Sequence, residues 1–134
     1  MILRSVLAAI LLGHALIHAA FLAPRPPATA GGPPWPFELD RSWILETFGI
    51  DPAMTRVVGL AAIAATVASF ALSALITLGG GAVELWPAAI AVGTVGSMLA
   101  LLLFFHPWLI VGVGIDLGLL WTVVVLGWTP SHLA

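Results

Sequence analysis

Four long apolar segments dominate the chain, at about residues 2–22, 53–78, 87–105 and 108–128. Each is close to the ~20 residues that a helix needs to cross a bilayer core. None alternates polar and apolar residues as a membrane strand does, and backbone groups in lipid must be satisfied within the segment. The pattern predicts an all-α polytopic membrane protein, a four-transmembrane-helix bundle, with residues 1–134 as one domain.

The links after the second and third segments are short, which predicts antiparallel neighbours in an up-and-down bundle. An even number of crossings places both termini on the same side. Asp51 is the expected N-cap of the second helix, with Pro52 at its first position. Gly79, Gly80 and Gly81 are expected to end that helix.

The first loop, at about residues 23–51, is long and begins with the stiff stretch "PRPPATAGGPPWP". In the following "LDRSWILETFG", Asp40 can cap a short helix that Gly49 ends. The apolar side chains that would share one face of this helix are Trp43, Ile44 and Phe48. We expect it to lie at the membrane surface or over the mouth of the bundle; an ordered loop with buried aromatic side chains is the alternative.

The composition agrees with lipid as the surrounding medium. Of 134 residues, 61% are hydrophobic and 7% charged, whereas soluble domains have about 25% charged residues. The chain has no cysteine, which excludes disulfides, thiolate metal sites and iron–sulfur clusters. A net charge of −2 without a basic patch gives no reason to expect a nucleic-acid partner.

The four arginines leave the membrane orientation open. Arg25, Arg41 and Arg56 lie on the first-loop side, which the positive-inside rule would make cytoplasmic. Arg4 before the first apolar segment favours the opposite orientation, and it is also typical of a signal peptide. Because two histidines interrupt that segment, we interpret it as a membrane span.

Small residues recur at four-residue spacing, which lets membrane helices approach closely. The predicted packing positions are Gly93, Ser97, Gly114 and Gly118, with a further row at Ala61, Ala65, Ser69 and Ser73. The tryptophans expected to anchor the protein at the membrane interfaces are Trp35, Trp43, Trp86, Trp108 and Trp128. These surfaces, on a chain with no extramembrane domain, favour association with other membrane subunits or self-association.

Asp116 is the one carboxylate well inside a predicted span, where a charge costs roughly 2.5–3.5 kcal/mol and needs a partner. Counting the helical rise from the span midpoints places His14 and Asp116 at the same depth, each about 3 Å toward the first-loop side. His18 lies further out on that side, and His106 lies at the interface. The sequence predicts a polar column that opens toward the first loop.

His14 and His18 lie on one helical face because they are four residues apart. With Asp116 they could bind a transition metal, for which zinc, copper and iron are candidates. The same residues could relay protons, or simply fasten two helices by hydrogen bonds. Haem is disfavoured because residues four apart approach the same face of the ring, so a second ligand would have to come from His106 or His132.

Three functions follow as hypotheses: a subunit or accessory component of a larger membrane assembly, a membrane metal-binding protein or metal carrier, and a proton-coupled small transporter or channel. No nucleotide-binding, hydrolase or metalloprotease motif is present. No nucleophile–base pair is visible either, so the sequence does not indicate an enzyme that works without a metal.

Overall fold

The computed structural model describes residues 1–27, 30–31 and 35–133. Of the described residues, 74% are helical and none lies in a strand. The α-helices are α1 (Ile2–Ala19), α2 (Trp43–Thr47), α3 (Pro52–Thr77), α4 (Trp86–Leu103) and α5 (Ile110–Val124). Short 3-10 turns follow α1 (Ala20–Leu22), precede α4 (Val83–Leu85) and α5 (Pro107–Leu109), and end the described chain (Pro130–Leu133).

Four helical segments are long and apolar enough to cross a membrane, as predicted. With their adjoining 3-10 turns they are Ile2–Leu22, Pro52–Thr77, Val83–Leu103 and Pro107–Val124. Length and composition thus fit a four-span protein. Part of the proline- and glycine-rich stretch of the first loop lies outside the described residues.

The ends of α3 follow the sequence signals. The Asp51 carboxylate accepts a hydrogen bond from the Met54 amide at 3.0 Å, and Pro52 is the first helical residue. Beyond the other end, Gly79 has a φ of 94°, which is costly for any residue with a Cβ. The amide of Gly80 then donates to Leu75 O at 2.9 Å and closes the last turn.

α5 ends at Val124, four residues before the predicted boundary. Gly127 has a φ of 56°, and the amide of Trp128 donates back to Thr122 O at 3.1 Å. The predicted helix was too long because hydropathy alone set its end. The residues of this terminating turn are as apolar as those of the helix.

The short helix in the first loop is capped by Ser42, which corrects the prediction of Asp40. Ser42 is the residue directly before the first helical one, and its Oγ accepts a hydrogen bond from the Leu45 amide at 3.3 Å. Asp40 instead accepts from Arg56 at 2.8 Å. Gly49, at φ 70°, follows the helix as expected.

α2 lies over the end of α4. The Trp43 indole donates to Leu102 O at 2.8 Å, while Leu39 and Ile44 pack with the apolar cluster at that end of the bundle. Phe48, expected on the packed face, is largely exposed. The segment therefore folds onto the mouth of the bundle. This is one of the two predicted positions of the short helix, the other being the membrane surface.

α3 packs against both α1 and α4, and α5 packs mainly against α4. Glycines bring α3 and α4 close together. A Cβ on Gly93 would lie 2.9 Å from the Phe70 ring, and one on Gly96 would lie 2.8 Å from Thr66 Oγ1. The guanidinium of Arg4 donates to Pro130 O at 3.2 Å, so the start of α1 and the segment after α5 lie at the same end of the bundle.

Two apolar clusters fill the bundle, one at each end. The cluster toward the first loop includes Phe21, Leu39, Ala62, Ile63, Ala100, Leu101, Leu103, Phe104 and Leu109. The cluster at the opposite end includes Ala8, Leu11, Ala15, Phe70, Ala74, Ile76, Trp86 and Ile90. The middle of α1, α4 and α5 lies between them, and it is there that His14, His18, Ser97 and Asp116 are buried.

α5 is the least enclosed of the four long helices. Of the apolar segment Pro107–Val124 that contains it, only 11% of the residues are buried, against 33% to 50% for the other three segments. Gly114 and Gly118 lie on its open side, where an added Cβ would meet nothing within 4 Å. These two glycines thus make no close contact within the described chain.

Candidate metal centre

Three metal-ligating side chains converge between α1 and α5. His14, His18 and Asp116 each offer one ligand atom, and the three atoms lie within 4.8 Å of one another. All three side chains are buried, with residue exposures of 3%, 1% and 0%. The four-residue spacing along α1 brings both imidazoles to the same face, and α5 supplies the carboxylate.

Ser97 on α4 lies at the centre of this group. Its hydroxyl oxygen is 2.5 Å from Asp116 Oδ2 and 2.7 Å from His18 Nε2. It is also 3.3 Å from His14 Nε2, and His14 Nε2 itself lies 3.0 Å from Asp116 Oδ1. The four residues form one hydrogen-bonded cluster, here called the His/Asp/Ser cluster, which joins α1, α4 and α5.

Counting donors assigns the protons in this cluster. A serine hydroxyl has one proton, which Ser97 donates to Asp116 Oδ2, so its contact with His18 requires His18 to carry its proton on Nε2. The Asp116 carboxylate can only accept, so His14 also donates from Nε2. Both Nδ1 atoms are buried and have no partner in the described part of the chain, which fits two lone pairs rather than two N–H groups.

The surroundings of the cluster are apolar. The Phe70 ring meets the His14 ring edge to face at 5.1 Å, and the Phe21 ring stacks on His18 at 6.3 Å. A Cβ on Gly112 would lie 3.6 Å from His14 Cε1. That is an ordinary contact distance, whereas the same Cβ would lie only 3.1 Å from Leu101 Cδ1 of α4.

No arginine serves as the partner of Asp116 within the described residues. Three arginines pair with carboxylates elsewhere, and Arg4 donates to Pro130 O. The pairs are Arg25 with Glu38, Arg41 with Glu46 and Arg56 with Asp40. The buried carboxylate therefore relies on His14 and Ser97, so the cluster carries one formal negative charge when both imidazoles are neutral.

His106 lies apart from the cluster. It precedes the 3-10 turn that leads into α5, where its Nδ1 accepts from the Trp108 amide at 3.3 Å. Its ring contacts Trp108 rather than the other histidines. The polar column predicted from depth thus comprises His14, His18 and Asp116, and His106 caps a turn.

The tryptophans have different environments. Trp43 and Trp108 are exposed, as interfacial anchors would be, while Trp35 and Trp128 are partly buried. Trp86 is only 1% exposed. Its indole donates to Thr77 Oγ1 at 3.0 Å, so this side chain packs inside the bundle.

Ser97 is the member of the cluster that the sequence assigned to helix packing alone. The depth rule that paired His14 with Asp116 also finds it. Ser97 is one residue, about 1.5 Å, past the midpoint of the third predicted span, on the same side as the other two. A hydroxyl at that level is a candidate partner for a buried carboxylate.

The arrangement can do three things chemically: coordinate a cation, pass a proton along its hydrogen bonds, or hold three helices together. It belongs to an all-helical chain with four helices long and apolar enough to span a membrane, a combination compatible with a membrane protein. No protein-family model, curated protein or solved structure matches this chain. The function is therefore argued from the cluster itself.

Proposed function

We propose that the chain is a multi-pass membrane protein whose bundle binds a divalent transition-metal ion through His14, His18 and Asp116. The observation that carries the proposal is the convergence of three ligand atoms within 4.8 Å in a buried site. Catalytic zinc sites and non-haem iron sites use nitrogen and oxygen ligands of these types.

The charge of the site supports a cation. A carboxylate deep in a membrane is costly unless it is paired, and the described residues place no arginine beside Asp116. A divalent ion would offset this charge and bind both imidazoles. Because soft copper(I) prefers sulfur ligands and the chain has no cysteine, zinc and ferrous iron fit the donors better.

Elemental analysis and competition with a coloured chelator test the proposal on the full chain in mild detergent. When zinc or ferrous iron is supplied, we expect one ion per chain in the wild type and none in the His14→Ala/His18→Ala double variant. The matched control is His106→Ala/His132→Ala, which removes the two histidines outside the cluster and should keep the metal. Stoichiometric metal in the first double variant, or no metal in the wild type, would contradict the proposal.

A second candidate is an accessory subunit in which the cluster only fastens helices. It is favoured by the low burial of α5, because a helix with so few contacts in its own chain offers a face to another. Gentle purification should then recover other membrane chains in a fixed ratio, without bound metal. A metal-free chain that isolates as a clean monomer would contradict this candidate.

A further inference from the structure

We propose that Ser97 controls the affinity of the metal site, because its hydroxyl oxygen lies where the ion would bind. Metal would then enter only when this hydroxyl rotates away. The inference rests on the proposed function of the site, and it concerns how the site is regulated and how firmly the ion is held.

The distances support this competition. Ser97 Oγ lies within 3.3 Å of His14 Nε2, His18 Nε2 and Asp116 Oδ2. A zinc ion bonded to nitrogen and oxygen ligands lies about 2.0–2.2 Å from each of them. An ion that binds these three side chains thus requires much the same central position as the hydroxyl oxygen, and the two cannot both occupy it. Metal entry also requires each imidazole to shift its proton from Nε2 to Nδ1, which has no partner in the described part of the chain.

The helix offers the hydroxyl another partner. In α3, three buried hydroxyls donate to the carbonyl four residues earlier in their own helix, at 2.7–2.9 Å; they belong to Thr66, Ser73 and Thr77. The corresponding acceptor for Ser97 is the Gly93 carbonyl, one turn back on α4. Side-chain rotation alone can therefore move the hydroxyl out of the centre without unfolding α4.

The histidines show how firmly the metal would be held. Histidine ligands in permanent sites usually donate their second ring N–H to a fixed acceptor, and such contacts are worth about 10- to 100-fold in affinity. His14 Nδ1 and His18 Nδ1 have no partner in the described chain. A site with a competing hydroxyl and unsupported imidazoles suits an exchangeable divalent cation better than a permanently bound one.

The opposite role for Ser97 would be that of a fourth ligand. The two roles predict opposite changes in metal affinity when the hydroxyl is removed. If the hydroxyl competes with the metal, its removal strengthens binding; if it coordinates the metal, its removal weakens binding.

The test is the zinc dissociation constant of the full chain in detergent, measured by chelator competition. We expect Ser97→Ala to bind zinc about 10- to 100-fold more tightly, since metal entry no longer breaks a hydrogen bond to a charged group. Ser97→Thr keeps the hydroxyl and should stay near the wild type. Ser73→Ala is the matched control, because it removes a buried serine hydroxyl that bonds within its own helix.

Ser97→Gly also lacks the hydroxyl, and it serves as a second hydroxyl-free variant. Zinc binding that is equal or weaker without the hydroxyl, while the wild type binds, overturns the role of Ser97 alone. Failure of the wild type and of both hydroxyl-free variants to bind zinc overturns the proposed function as well. Tighter binding in the threonine variant would also contradict the proposal, because that variant keeps the competing group.

Discussion

His14 Nε2 lies 3.0 Å from Asp116 Oδ1, although the two residues are 102 positions apart in the chain. The contact joins α1 to α5, which otherwise packs mainly against α4. Because both side chains are buried, the contact between them affects the free energy of unfolding of the bundle.

Loss of His14 alone should destabilise the bundle more than loss of His14 together with the Asp116 charge. His14→Ala leaves a buried carboxylate without its imidazole donor, a change that costs about 1–3 kcal/mol in protein interiors. Asp116→Asn removes the charge and keeps the shape. We therefore expect the double variant His14→Ala/Asp116→Asn to be more stable than His14→Ala.

The measurement is the unfolding free energy of metal-free protein in mixed micelles, followed by circular dichroism. If the double variant loses as much unfolding free energy as the two single variants together, the unpaired carboxylate is not what destabilises His14→Ala.

The glycines of α4 and α5 should respond differently to an added methyl group. Gly96→Ala would place a Cβ 2.8 Å from Thr66 Oγ1 and 3.1 Å from Ala62 O, so we expect a loss of about 1–3 kcal/mol. Gly118→Ala meets nothing within 4 Å, and it should raise stability by up to about 1 kcal/mol. Thermal unfolding of the two variants in one detergent compares them directly, and equal midpoints would contradict the tight α3–α4 contact.

The proposed four-span topology can be tested by labelling, because the chain has no cysteine of its own. Ala82→Cys, between α3 and α4, and Ser131→Cys, after α5, should react with an impermeant maleimide from the same side of sealed vesicles. Ala30→Cys, in the first loop, should react only from the other side. Reaction of all three from one side would rule out the topology.

The periodic and capping signals predicted most of the fold. The four long helices and the Asp51 cap follow from apolar length and local hydrogen-bond chemistry, which depend on neighbouring residues. The end of α5 and the Ser42 cap differ by a few residues, because apolar content does not report a left-handed glycine or a choice between nearby caps.

The sequence predicted the depth of the site residues along their helices, but not the direction in which each helix turns its side chains. Counting the helical rise gives the level of His14 and Asp116, and the structure brings these two side chains together. The same counting cannot show which way each helix faces. His106, placed at the mouth of the column, instead caps a turn, while Ser97 faces inward and joins the cluster.

The positions of the cluster residues in the sequence also determine when the cluster can form during synthesis. Its residues come from the first, third and fourth of the four long helices, so an emerging chain cannot complete the cluster until α5 has been made. The carboxylate is made last, 102 residues after the histidine that it meets, and by then α1 and α4 can already present their imidazoles and hydroxyl. A truncated chain that ends before α5 would lack that carboxylate and would leave the polar groups of α1 and α4 without their acceptor.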